Sequence, residues 1–175
     1  GSVGAGSSNQ NSITTAALDT RGADLIVIAR SAYTPNSPPV MSDSKTNTWT
    51  ALTQRSATGV KHRLYYIKSP SVDVAHTFTA SATASYPSLV VMAFSGAHLT
   101  APFDLEAGNT NVAADTSQLT SSLTPSENSC LVIACAGWQT GNTWAINGGF
   151  STPLEVGYNA NHFGGDSWLD RAHDV

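Results

Sequence analysis

Leu25-Ile-Val-Ile-Ala-Arg-Ser-Ala-Tyr33 decides the fold class: a β-branched apolar run, then small residues, then an aromatic at the edge of a polar loop. Two other segments end the same way, Leu89-Val-Val-Met-Ala-Phe-Ser-Gly-Ala-His98 and Leu131-Val-Ile-Ala-Cys-Ala-Gly-Trp138. Runs this short, bounded by turn residues, read as strands buried on both faces. If the three run in the same direction, Tyr33, His98 and Trp138 gather on one rim.

Working outward, residues 13–18 read as a first edge strand, and Pro35, Pro38 and Pro39 force a loop after Tyr33. Residues 40–43 and 48–54 read as a hairpin around the polar turn at 44–47. In 62–68, Leu64 and Tyr66 share one face and Arg63, Tyr65 and Ile67 the other. In 76–85, Phe78, Ala80, Ala82 and Ala84 face inward while Thr and Ser line a wet face, and Pro87 ends the strand. Residues 112–123 are weakly strand-like, and 144–146 with 150–156 make a last hairpin around Asn147-Gly148. No segment sustains helical periodicity. With about nine or ten strands, the expectation is an all-β, mostly antiparallel sandwich.

Residues 1–12 are rich in Gly, Ser and Asn and read as a flexible lead-in, with Gly1-Ser2 a protease scar from an expression tag. Residues 13–175 read as a single sandwich domain. After Trp168 no closing apolar strand is legible, so the domain either lacks its final strand or leaves a sheet edge open to a neighbouring chain.

Composition narrows the function. Charged residues make up 11% of the 175, against roughly 25% in an ordinary soluble domain. Ser, Thr, Asn and Gly fill the surface instead, as in many extracellular and virion proteins. The net charge is −4 with no basic cluster, which argues against nucleic acid as a partner. No apolar run approaches the ~20 residues of a membrane span, and no signal peptide is legible. Cys130 and Cys135 fall in one expected strand, on opposite faces and about 16 Å apart. A disulfide needs Cα atoms within roughly 7 Å, so both read as buried free thiols.

The succession Leu18-Asp-Thr-Arg-Gly-Ala-Asp-Leu-Ile-Val27, Asp43-Ser-Lys-Thr-Asn-Thr-Trp-Thr50, Leu64-Tyr-Tyr66, His76-Thr-Phe-Thr79 and Pro87-Ser-Leu-Val-Val-Met-Ala-Phe-Ser-Gly96 resembles a family of jelly-roll-like sandwich domains. That family recurs, mostly uncharacterised, in phage particles and bacterial extracellular proteins, and the resemblance covers most of residues 13–170. It implies a virion-surface or cell-surface module and supplies no catalytic residues. Family members usually run on into a final Trp-containing strand, which the sequence reading does not find here.

Carbohydrate binding is the sharpest chemical reading. Sandwich modules stack sugar rings on Trp and Tyr while neighbouring amides bond the hydroxyls. Trp138-Gln-Thr-Gly-Asn-Thr-Trp144 offers two Trp with Gln139 and Asn142, and Tyr33 and Asn36 follow an earlier strand end. Trp49 reads as core. The alternative is a structural virion or surface subunit, a decoration or assembly protein that binds protein partners or its own copies through sheet edges.

Other chemistry is thinly signalled. His62, His76, His98, His162 and His173 include no pair with zinc-like spacing, and His62 and His76 begin strands and read as solvated. No cofactor is implied, although Asp43 with Asn47, or Asp19 with Asp24, would suit a structural calcium. A hydrolase would draw on Asp104 with Glu106, or His162 with Asp166, but no catalytic motif surrounds them and no G-x-S-x-G elbow is present. The expectation is a non-enzymatic module, extracellular or on a virion surface.

Overall fold

A computed structural model of the protein describes residues 1–6, 10–33, 40–57, 59–81, 86–110 and 121–137, together with the backbone of 138, 154–156 and 166–174. At its centre is β3 (Leu25–Ala32), buried along its whole length. It is flanked by β7 (Val60–Lys68) and β9 (Ser88–Phe94), both antiparallel to it. The sheet extends on one side through β9 to β1 (Ser2–Gly6), and on the other through β7 to β5 (Thr50–Ala51) and β6 (Arg55–Ala57). Residues directly opposite across paired strands share a face. Ile26, Ile28 and Arg30 therefore stand with Ile67, Tyr65 and Arg63 and with Ala93, Val91 and Leu89. Val27, Ala29 and Ser31 stand on the reverse with Tyr66, Leu64 and His62 and with Met92, Val90 and Ser88.

Each face is covered by a further antiparallel sheet, and no helix occurs among the described residues. The first is covered by β2 (Ser12–Thr14), β8 (Phe78–Ser81) and β4 (Val40–Asp43), which place Ile13, Phe78 and Ala80 against Ile26, Ile28, Leu89 and Val91. The second is covered by β10 (Leu131–Trp138), β12 (Asp166–Asp174) and β11 (Leu154–Val156). From β10, Ile133 and Cys135 pack on Ala29 and Val90. The all-β sandwich read from the sequence is the observed architecture. Phe78, Ile26, Ile28 and Leu89 are fully buried, each contributing about 1.5–3 kcal/mol by leaving water.

Several elements depart from the sequence reading. Residues 2–6, read as lead-in, form β1 on β9. Val3 and Ala5 pack against the core, and their alternation is easily missed among Ser and Gly. The arms at 40–43 and 48–54 do not form a hairpin: β4 pairs with β8, and β5 with β7. The Asp43 carboxylate collects the Lys45 and Asn47 N–H groups, and Thr46 takes φ 58°, so the chain turns out of one sheet and into another. After Trp168 a strand does continue: β12, which includes Trp168, lies between β10 and β11. Its polar sequence, Asp166-Ser-Trp-Leu-Asp-Arg-Ala-His-Asp174, hides it from an apolar-alternation criterion. Residues 112–120 of the weak strand and 144–153 of the last hairpin lie outside the described residues; Leu154–Val156 pairs with β12.

Candidate functional site

The rim geometry follows from strand direction. Because β3 and β9 are antiparallel, residues after β3 meet residues before β9. Tyr33 accordingly lies beside Tyr86, with ring centroids 6.1 Å apart and planes at 85°. His98 follows β9 and belongs to the opposite end, where its Nδ1 accepts from the Ala101 N–H at 3.0 Å. The expected gathering of Tyr33, His98 and Trp138 therefore fails at His98, and Tyr86 stands in its place. β10 does end beside β3: a Cβ added to Gly137 would come 2.3 Å from Ser31 Oγ. The backbone of Trp138, paired with Asp166, is thus at the Tyr33 end. Asn36, Gln139, Asn142, Trp144 and the Trp138 side chain lie outside the described residues.

Below this rim a polar relay joins three strands. Ser31 Oγ is 2.8 Å from His62 Nδ1, and His62 Nε2 is 3.0 Å from Cys135 Sγ. A nucleophile, a base and an orienting hydroxyl are within hydrogen-bond reach. The electrostatics oppose nucleophilic use. Burial, with the Arg30 charge assisting, pulls the His62 imidazole down to about 4. Burial, with the Glu106 carboxylate assisting, pushes the Cys135 thiol up to about 12. At pH 7 the thiolate fraction is then about one in 10⁵. The relay holds β3, β7 and β10 together as a chain of neutral groups.

A second polar cluster lies on the other side of the central sheet. His76 and the Asp43 side chain are fully buried, with His76 Nε2 3.4 Å from Asp43 Oδ1. Thr20 Oγ1 lies 3.0 Å from His76 Nδ1, and the ring stacks on Phe78 at 4.3 Å. These contacts tie together the loops after β2, β4 and β7. The reading of His62 and His76 as solvated is therefore wrong for both. Strand parity carried the missed signal: His76 shares a face with Phe78 and Ala80, and His62 with Leu64 and Tyr66.

The carboxylates singled out from the sequence have protein partners. Asp43 Oδ1 accepts from Lys45 and Asn47 N–H at 2.7 and 3.2 Å, and Asn47 exchanges two hydrogen bonds with the Ser71 backbone. Asp19 pairs with Arg21, and Asp24 accepts from the Gly96 N–H. Asp104 accepts from Ser126 N–H and Oγ, which hold its carboxyl below the usual range. Glu106 accepts from Thr53 through both backbone N–H and hydroxyl. Asp104 and Glu106 thus fasten the long β9–β10 connection at two separate points. His162 lies outside the described residues, and only the backbone of Asp166 is described. Among the described residues no group of three His, Cys, Asp or Glu is placed to hold a metal. Cys130 and Cys135 are free thiols, as expected, but both are only half-buried, and Cys130 precedes β10 and donates to Glu127 O. Trp49 packs against the core edge-on to Phe78.

Compared with known proteins, the chain matches no family model, no curated protein and no solved structure.

Proposed function

We propose that this chain is a non-catalytic attachment module of a phage particle or bacterial extracellular protein, binding carbohydrate at the rim where β3 and β10 end. The observation that carries this reading is the Tyr33–Tyr86 pair at that rim, beside the strand that delivers Trp138. Perpendicular rings form a corner, which suits the apolar face of a sugar ring better than a closed pocket suits a reaction. Aromatic side chains with one apolar surface and one polar handle serve such surfaces well. Affinity electrophoresis through soluble polysaccharides tests it. One glycan class retards the protein, and Tyr33→Ala and Trp138→Ala each weaken binding about tenfold; retardation unchanged in both variants overturns the reading.

One observation favours the structural-subunit alternative. β4 has a strand partner on only one side among the described residues, and Val40 at its start is 70% exposed. Apolar strand edges recruit further strands. On this reading sedimentation finds concentration-dependent oligomers that Val40→Lys disperses; a monomer at every concentration refutes it.

A further inference from the structure

Arg30 is the unexpected residue of the central sheet. It follows Ile26 and Ile28 on the same face and is 2% exposed. Its Nε and Nη2 are buried and have no hydrogen-bond partner among the described residues. A buried guanidinium without a counter-charge is among the costliest groups a fold can carry. Burial lowers its pKa only to about 10, so it remains charged at neutral pH.

The register adds a second charge. Arg63 stands directly opposite Arg30 across β3 and β7, and like charges in that position repel. Arg63 is partly relieved: its Nε donates to Leu52 O at 2.6 Å, and its guanidinium carbon lies 5.8 Å from the Tyr65 ring centroid. Both partners are neutral. The ion pairs among the described residues join Arg21 to Asp19 and Lys45 to Asp73, neither of them here. A buried guanidinium and, opposite it in the register, a half-buried one thus share a face of the central sheet, with no carboxylate bonded to either among the described residues.

We propose that Arg30 and Arg63 form an oxyanion site at the rim end of the central sheet, and that its ligand is the carboxylate of an acidic sugar. The sugar rests on the carbohydrate reading above; the oxyanion does not. Planar guanidinium forks match carboxylate and sulfate oxygens two at a time. Arg63 is partly exposed and Arg30 is not, so the pair leads from solvent into the layer.

Thermal unfolding in millimolar sulfate, with sodium chloride holding ionic strength constant, tests the anion. Binding to a polyuronate and to a neutral glucan tests the sugar. Sulfate raises the wild-type Tm saturably by about 2–4 °C, and Arg30→Met and Arg63→Met abolish the rise. Polyuronate binds about tenfold more weakly to Arg63→Met. If Arg30→Met does not fold, the half-buried Arg63→Met still decides. A sulfate response equal in wild type and variants overturns the site. Binding of the neutral glucan alone, unaffected by either substitution, overturns the acidic sugar and leaves the rim reading standing. A sulfate response without binding of any glycan supports the anion site and overturns the rim reading.

Discussion

The two layers flanking the central sheet are built on different principles. Between it and β2-β8-β4 lie large apolar side chains, Phe78, Ile26, Ile28, Leu89 and Val91, around one buried imidazole. Between it and β10 the fully buried residues are small, Ala29, Ser31 and Val90, with half-buried Leu64, Met92 and Ile133, a close approach at Gly137 and the Ser31–His62–Cys135 relay. The first layer is held by apolar area. The second is held by close approach and by polar groups that must stay neutral. The difference teaches that one sandwich can depend on volume in one layer and on protonation in the other.

Truncation in the large-residue layer should cost most. Phe78→Ala leaves a cavity under Ile26 and Leu89, with an expected loss of about 3–5 kcal/mol by urea denaturation. A loss below about 1 kcal/mol would mean that this layer does not carry the stability.

The small-residue layer should respond to pH. His62 takes a proton near 6.5 when unfolded but only near 4 when folded. Between those values the unfolded chain binds more protons, so stability falls as pH drops from about 6.5 to about 4, by about 3 kcal/mol in all. His62→Gln should flatten this slope, as read from urea midpoints at pH 7 and pH 4.5. An unchanged slope would place the titrating group elsewhere.

Gly137→Ala sharpens the comparison, because its Cβ would collide with Ser31 Oγ. The expected cost is about 1–3 kcal/mol, accompanied by native-state labelling of Cys135 with a thiol reagent, which the wild type resists. The smallest effect should come from Trp49→Phe. The Trp49 Nε1 is buried without a partner among the described residues, so removing that donor offsets the lost ring area to within about 1 kcal/mol.

Much of this fold is legible in the sequence because burial on both faces leaves a local mark. β3 and β9 show it as unbroken apolar runs; β10 carries a similar run but lies in an outer sheet, half-buried with Leu131 exposed, and β8 shows one buried face in the parity of Phe78 and Ala80. Partner choice leaves no such mark. Nothing local tells Val40–Asp43 to pair with β8 and Thr50–Ala51 with β7. The rim was half legible: strand ends identify Tyr33, but antiparallel pairing brings Tyr86 to it rather than His98. Tyr86 was hidden because it precedes its strand, next to Pro87. Arg30 lies within the apolar β3 run, and only its burial without a partner among the described residues shows that its charge is unmatched.

The most direct test of carbohydrate binding at the β3–β10 rim is iodide quenching of tryptophan fluorescence during titration with soluble polysaccharides. Trp49 lies against the core, so quenching reports on the other three tryptophans of the chain. The account predicts an iodide-accessible component that one glycan class protects saturably, and that Trp138→Ala removes. Accessibility unchanged by every glycan would contradict it.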